Sequence, residues 1–259
     1  MAEEVDIIDL KPDTLLAYTD YIRAAVAAMD EANQAGTAFL WSEGDADRRK
    51  RVSEGQVVAE LWSGTRPVSI PHGLIHDWIG AISIAGATIR ETLALMQDYD
   101  NHKSLYSPDV IDSKLISRDG DEFEIFLRLL KKKVITVVLD SYHHVHYYPV
   151  DAMRWRCDSQ TTRMCEVENA RKSKEFVRPP DTGYGFLWRL GSYWRLEERD
   201  GAVYVECRAI SLTRSIPSAL AWIIQPMIKK LPRESLKATL EATRRGVMAG
   251  KSISGAVKA

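Results

Sequence analysis

Apolar residues recur at helical spacing between Asp13 and Ala35, where Leu15, Leu16, Tyr18, Ile22, Val26 and Met29 mark one side and Gly36 closes the run. The spacing predicts a helix. A charged stretch, 44–55, reads as a short helix or loop, Gln56 to Trp62 is strand-like, and the Gly- and Pro-rich segment 64–73 is a connection. Alternation then sets in. Ile75, Asp77, Ile79, Ala81 and Ser83 share one face, with His76, Trp78, Gly80, Ile82 and Ile84 on the other, the pattern of a strand. Thr88 and Glu91 form a capping box, Thr-x-x-Glu, opening a helix that carries Ile89, Leu93, Met96 and Tyr99 on one side.

From Val110 a long antiparallel series is expected. An Asp119–Gly120 turn leads into Phe123, Ile125, Leu127 and Leu129, alternating against Glu124 and Arg128. Runs at 134–148 and 153–168 are β-rich, and a polar loop, 168–185, separates them from the next strand. There Phe186, Trp188, Leu190, Ser192, Trp194 and Leu196 share a face, with Arg189, Tyr193 and Arg195 opposite. A turn at Asp200–Gly201 leads to Val203, Val205, Cys207 and Ala209 on one face. The chain closes with an apolar helix from Ile216 to Leu240. Pro217 suits its first turn, Leu220, Ile224 and Met227 form an inward stripe, and Pro226 is expected to bend or interrupt it. Pro232 then reads as the start of a fresh turn carrying Leu236 and Leu240, so the expectation is a two-part clamp. The fold class is α+β: a curved antiparallel sheet covered by a C-terminal helix, 65–259, preceded by an N-terminal helical extension, 1–64.

Composition narrows the partners. The 259 residues are 45% hydrophobic and 27% charged, with 35 basic and 36 acidic side chains. A nucleic-acid-binding protein usually carries a basic excess, so no nucleic-acid partner is expected. The closing segment is interrupted by Gln225, Lys229 and Lys230 and falls short of the roughly 20 apolar residues of a bilayer span. Stable membrane insertion is therefore not expected. The acidic start lacks the features of a secretory signal, which makes the cytoplasm the default location, although a trimmed signal would leave the same picture. Three scattered cysteines make neither a disulfide framework nor a zinc site.

Three stretches carry a family resemblance. Leu93 to Ser117, Tyr193 to Ser211 and Ile216 to Leu240 are similar to the first helix, the late hairpin and the closing helix of the START and polyketide-cyclase superfamily, whose helix-grip fold wraps a curved sheet around a long C-terminal helix. The resemblance covers Gly73 to Arg245 and leaves the first 60 or so residues without a family reading. It implies a cavity between sheet and helix that takes a lipid or another hydrophobic small molecule. Trp155, Trp188, Trp194 and Leu129 are the expected lining, together with Leu220, Ile224 and Met227 from the helix. His143 is the expected polar anchor, and Tyr99 a further polar contributor. A solid core is the alternative.

Candidate chemistry is sparse. His144 and His146 share a face with Asp140 and Tyr142, a pattern open to a divalent metal. The opposite face, with Val137, Leu139, Val145 and Tyr147, is the natural inward one, so these two histidines are expected outside and His143 inside. There is no GxSxG elbow and no phosphate loop, and no cofactor is expected. The reading is binding, possible transport included, of a hydrophobic ligand without catalysis. A cyclase/aromatase or hydrolase on the same fold is the rival, and a protein-interaction scaffold the third.

Overall fold

In the computed structural model, residues 6–34, 38–62, 64–132, 136–215 and 221–256 are described, except for the side chains of 32–34, 221–229 and 251–256. The chain begins with β1 (Ile8–Asp9), α1 (Pro12–Gln34), a 3-10 turn (Trp41–Gly44) and α2 (Ala46–Ser53). Next come β2 (Val58–Leu61), β3 (Val68–Ile70), β4 (Gly73–Ala85), α3 (Ile89–Met96) and α4 (His102–Leu105). The long series is β5 (Val110–Asp119), β6 (Glu122–Lys132), β7 (Thr136–Pro149) and β8 (Arg154–Glu168). It continues with β9 (Phe176–Val177), β10 (Thr182–Gly183), β11 (Arg189–Arg199) and β12 (Ala202–Arg214), and α5 (Ala221–Ala256) closes the chain.

Ten strands form one antiparallel sheet, ordered β2-β4-β12-β11-β8-β7-β6-β5, with β3 paired to β4 and β9 to β8. Two-residue turns set its register. At Asp200 and Gly201 both φ angles are positive, 52° and 72°, the conformation a tight hairpin of this kind requires. The capping box at Thr88 and Glu91 is present in both directions and starts α3 where the sheet ends.

The concave face grips α5 and α3. Ile82, Ile84, Val203, Val205, Leu196, Phe123 and Ile125 pack there against Leu93, Met96, Leu236, Leu240 and Val247. The closest approach is at Gly80. A side chain there would meet Leu240 Cδ1 at 2.9 Å and Leu236 Cδ2 at 3.2 Å, so the glycine lets the helix rest on the backbone of β4. This is the helix-grip arrangement expected from the sequence. One detail differs. α5 is continuous for 36 residues, through both Pro226 and Pro232, rather than divided into two parts. Each proline removes one backbone donor, and the many remaining intrahelical bonds, with the packed stripe Leu236–Leu240–Val247, carry the helix across.

The convex face is covered too. α1 lays Tyr18, Tyr21, Ile22, Ala25, Val26 and Met29 over Ile75, Ile210, Leu212, Trp188 and Tyr193. The Tyr18 hydroxyl donates to Ile210 O at 3.0 Å. Beside it, Leu40, Val52 and Trp41 pack on Val58, Ala81 and Tyr204. β4 is therefore buried on both faces, which explains its almost unbroken apolar run. Tyr193, placed by alternation opposite the tryptophans, is on that outer face but only 5% exposed, because α1 covers it.

Candidate functional site

Cross-strand register arranges the concave face in four rows. The first is Trp155, Leu196, Val205 and Ile82. The second is Tyr147, Cys157, Trp194, Cys207 and Gly80. The third is Phe123, Val145, Ser159, Ser192, Ala209 and Trp78. In the fourth, Ile125, His143 and Thr161 meet Leu190, Ser211 and His76. Thr161 joins the two halves, its hydroxyl donating to Leu190 O at 2.9 Å and accepting from Leu190 N at 3.0 Å. The face thus grades from apolar to hydroxyl- and imidazole-rich.

Leu236 and Leu240 of α5 lie over the Gly80 end of the second row, and Met96 of α3 with Tyr99 covers its Tyr147 end. Toward the polar rows, Trp78, Trp194, Ser159, Ser192, Ala209 and Ser211 remain only half-buried. β12 ends at Arg214, beyond the fourth row, and α5 begins at Ala221.

His143 is the buried polar centre. Its Nε2 is hydrogen-bonded to the Ser141 hydroxyl, and its Nδ1 faces the Ser159 hydroxyl at 3.5 Å. Burial lowers its pKa to about 4, so the ring is neutral at pH 7. His76, also buried, holds Thr213 Oγ1 at 3.1 Å from Nε2. That hydroxyl donates to Arg214 O at 3.3 Å, so His76 Nε2 is the donor to Thr213 and Nδ1 carries the lone pair. Nδ1 has no partner among the described residues. At the apolar end, the Tyr99 and Tyr147 hydroxyls bond at 2.9 Å, and Cys157 and Cys207 are buried thiols whose pKa burial raises.

Burial lowers the pKa of His76, His102 and His143 alike, from 6.5 to about 4. A folded-state pKa below the unfolded one means stability is fully present above pH 6.5 and lost as pH falls toward 4. Each histidine contributes a slope of up to about 1.4 kcal/mol per pH unit in that window. The raised Glu166 and Glu206 act in the opposite sense, so the contrast to measure is between wild type and His143→Asn. Urea melts at pH 4 to 7 should give the variant a shallower decline by up to about that slope.

Of the sequence-named residues, the structure places Trp155, Trp194, Leu129, His143 and Tyr99 on or against the concave side. Trp188 is a correction. It lies at a bend just before β11 and packs on the convex side with Ile75 and Leu212, because the strand alternation used to place it begins only at Arg189. Leu220 is outside the described residues, and Ile224 and Met227 lie on α5 where side chains are not described. His144 and His146 face outward, 3.3 and 3.5 Å from the Glu122 carboxylate. Among the described residues no group of three or more His, Cys, Asp or Glu is arranged to hold a metal. Sequence reasoning missed Trp78, His76, Ser159, Ser192 and Ser211 as members of one surface. Strand alternation marked their faces, but only the pairing register brings them into rows.

No family model and no curated protein matches the chain. Among solved structures it is similar to a STAR-related lipid transfer protein from Xanthomonas axonopodis, at 16% identity over 70% of this chain and 96% of that one, with a TM-score of 0.48. It is also similar to the Zhui aromatase/cyclase from Streptomyces, at 9% identity over 67% and 94%, with a TM-score of 0.49. A START superfamily protein from Mycobacterium smegmatis gives 11% identity over 67% and 97%, with a TM-score of 0.47. Among the described residues, no helix is long and apolar enough to cross a membrane.

Proposed function

We propose that the protein binds one amphipathic, predominantly hydrophobic small molecule or lipid between the concave face and α5. The observation that supports this is the gradient across the four rows. An apolar body would lie along Trp155, Trp194 and Trp78, and a polar end would reach Ser159, Ser192, Ser211 and the histidines. Transfer of apolar surface from water supplies the affinity, at about 25 cal/mol for each Å² buried. The hydroxyls orient the ligand more than they hold it.

Catalysis is the weaker reading. Ser141 and His143 have the elements of a base-activated hydroxyl. Ser141, however, has no exposed surface, and the far nitrogen of His143 faces Ser159 rather than a carboxylate. A triad would require an orienting acid in that place. Native mass spectrometry of the purified protein, with organic extraction, is expected to find a single small-molecule adduct or uptake of one added fatty acid per chain. A bare mass with no uptake, joined to a crystal structure with a filled interior, would sink the proposal.

A further inference from the structure

The opposite side of the sheet carries a cavity of about 290 Å³, open on one side and lined by α1, the segment 38–44, Arg48, Trp62 and the convex face of β4, β11 and β12. That is close to the lower end of small-molecule pockets, about 300 Å³. Its apolar wall includes Met29, Leu40 and Ile79, and its polar lining is three guanidiniums, Arg48, Arg195 and Arg208, with the Tyr193 phenol, against one carboxylate, Glu206. Trp41 and Trp62 complete it, each with an arginine on its ring: Arg48 at 3.6 Å from Trp41 and Arg208 at 4.3 Å from Trp62.

The charges are not matched in the same way. Arg208 is held by both oxygens of Asp77, at 2.9 and 2.6 Å. Glu206 accepts the amides of Trp41 and Ser42, at 2.8 and 2.7 Å, and burial pushes its carboxyl up. Arg195 donates, among the described residues, only to two backbone carbonyls, Phe39 O at 2.8 Å and Met29 O at 3.1 Å. Among the described residues no carboxylate stands within salt-bridge distance of it; Glu206, Asp30 and Asp158 act on it only through space, against the like charge of Arg156. Arg48 donates to Trp41 O and to Glu60, while its buried Nε–H has no partner among the described residues. A partly desolvated guanidinium facing a cavity without a bound counter-charge is a ready acceptor site for a planar oxyanion, which arginine meets in bidentate fashion.

We propose that this cavity is a second ligand site, independent of the concave face, for a small aromatic carboxylate. The carboxylate lies on Arg195 with Arg48 at the rim, and the ring rests on Trp41, Leu40 and Ile79. The segment before β3 would then have a recognition role, since it supplies one wall of the site and two of its key side chains.

The test titrates the full chain with 2-naphthoate and with its neutral isostere 2-naphthamide, following heat and tryptophan fluorescence. Naphthoate should bind at least tenfold more tightly than the amide. Arg195→Met should weaken naphthoate at least tenfold and leave the amide unchanged. Ser192→Trp, which fills the concave face, should leave naphthoate binding intact. If Arg195→Met fails to fold by circular dichroism, Arg48→Gln decides, with an expected loss of threefold or more. Equal affinities for acid and amide, wild-type binding by the arginine variant that decides, or loss of binding in Ser192→Trp would each overturn the proposal.

Discussion

Asp77→Ala is expected to lower the free energy of unfolding by about 3–5 kcal/mol, because it strands a buried guanidinium. Asp77 has no exposed surface and Arg208 is 5% exposed, so water cannot replace the lost partner. The same carboxylate accepts the Tyr21 hydroxyl at 2.8 Å, so α1 loses an anchor in the same step. Urea denaturation measures the loss, and the melting temperature should fall by roughly 10 °C for a chain of this size. The double variant Asp77→Leu/Arg208→Met should recover most of it, since an apolar pair of similar volume avoids the desolvation that the ion pair requires. A loss under about 1 kcal/mol in the single variant would mean the pair is far wetter than its burial implies.

Ser192→Trp should weaken binding of a fatty-acid probe at least 100-fold, about 2.7 kcal/mol, while the protein stays folded. Ser192 sits at the centre of the third row, beside Ser159, Ala209 and the Trp194 indole, whose Nε1 donates to it at 3.2 Å. A large ring there occupies the space proposed for the ligand. The variant also separates the two readings of the interior. If the space is open, stability changes little and affinity collapses. If the core is solid, overpacking costs about 1–3 kcal/mol and there is no affinity to lose.

What was legible in the sequence follows from local periodicity. The two faces of β4 read correctly, because both are buried and the alternation of Ile75–Ile79 against Trp78–Ile82 survives in the composition. The capping box at Thr88 and the outward histidines His144 and His146 read correctly for the same reason. Trp188 did not, since a residue before the first paired position obeys no alternation. The stripe on α1 announced a buried face without saying against what, and its target, Ile210 and Leu212, lies nearly two hundred residues away. The polar rows were hidden because Ser159, Ser192 and Ser211 come from three strands and meet only through register. The continuity of α5 through its prolines was hidden as well, since tertiary packing outweighed a local breaker.

Photo-cross-linking locates the ligand most directly. A diazirine-bearing fatty alcohol is bound to the protein, irradiated, and the labelled residues are mapped by peptide mass spectrometry. Binding within the concave gradient places the label on peptides containing Trp155 to Ser159, Ser192 to Trp194 and His76 to Trp78. Label confined to α1 or to exposed loops, with none on those three strands, would contradict it.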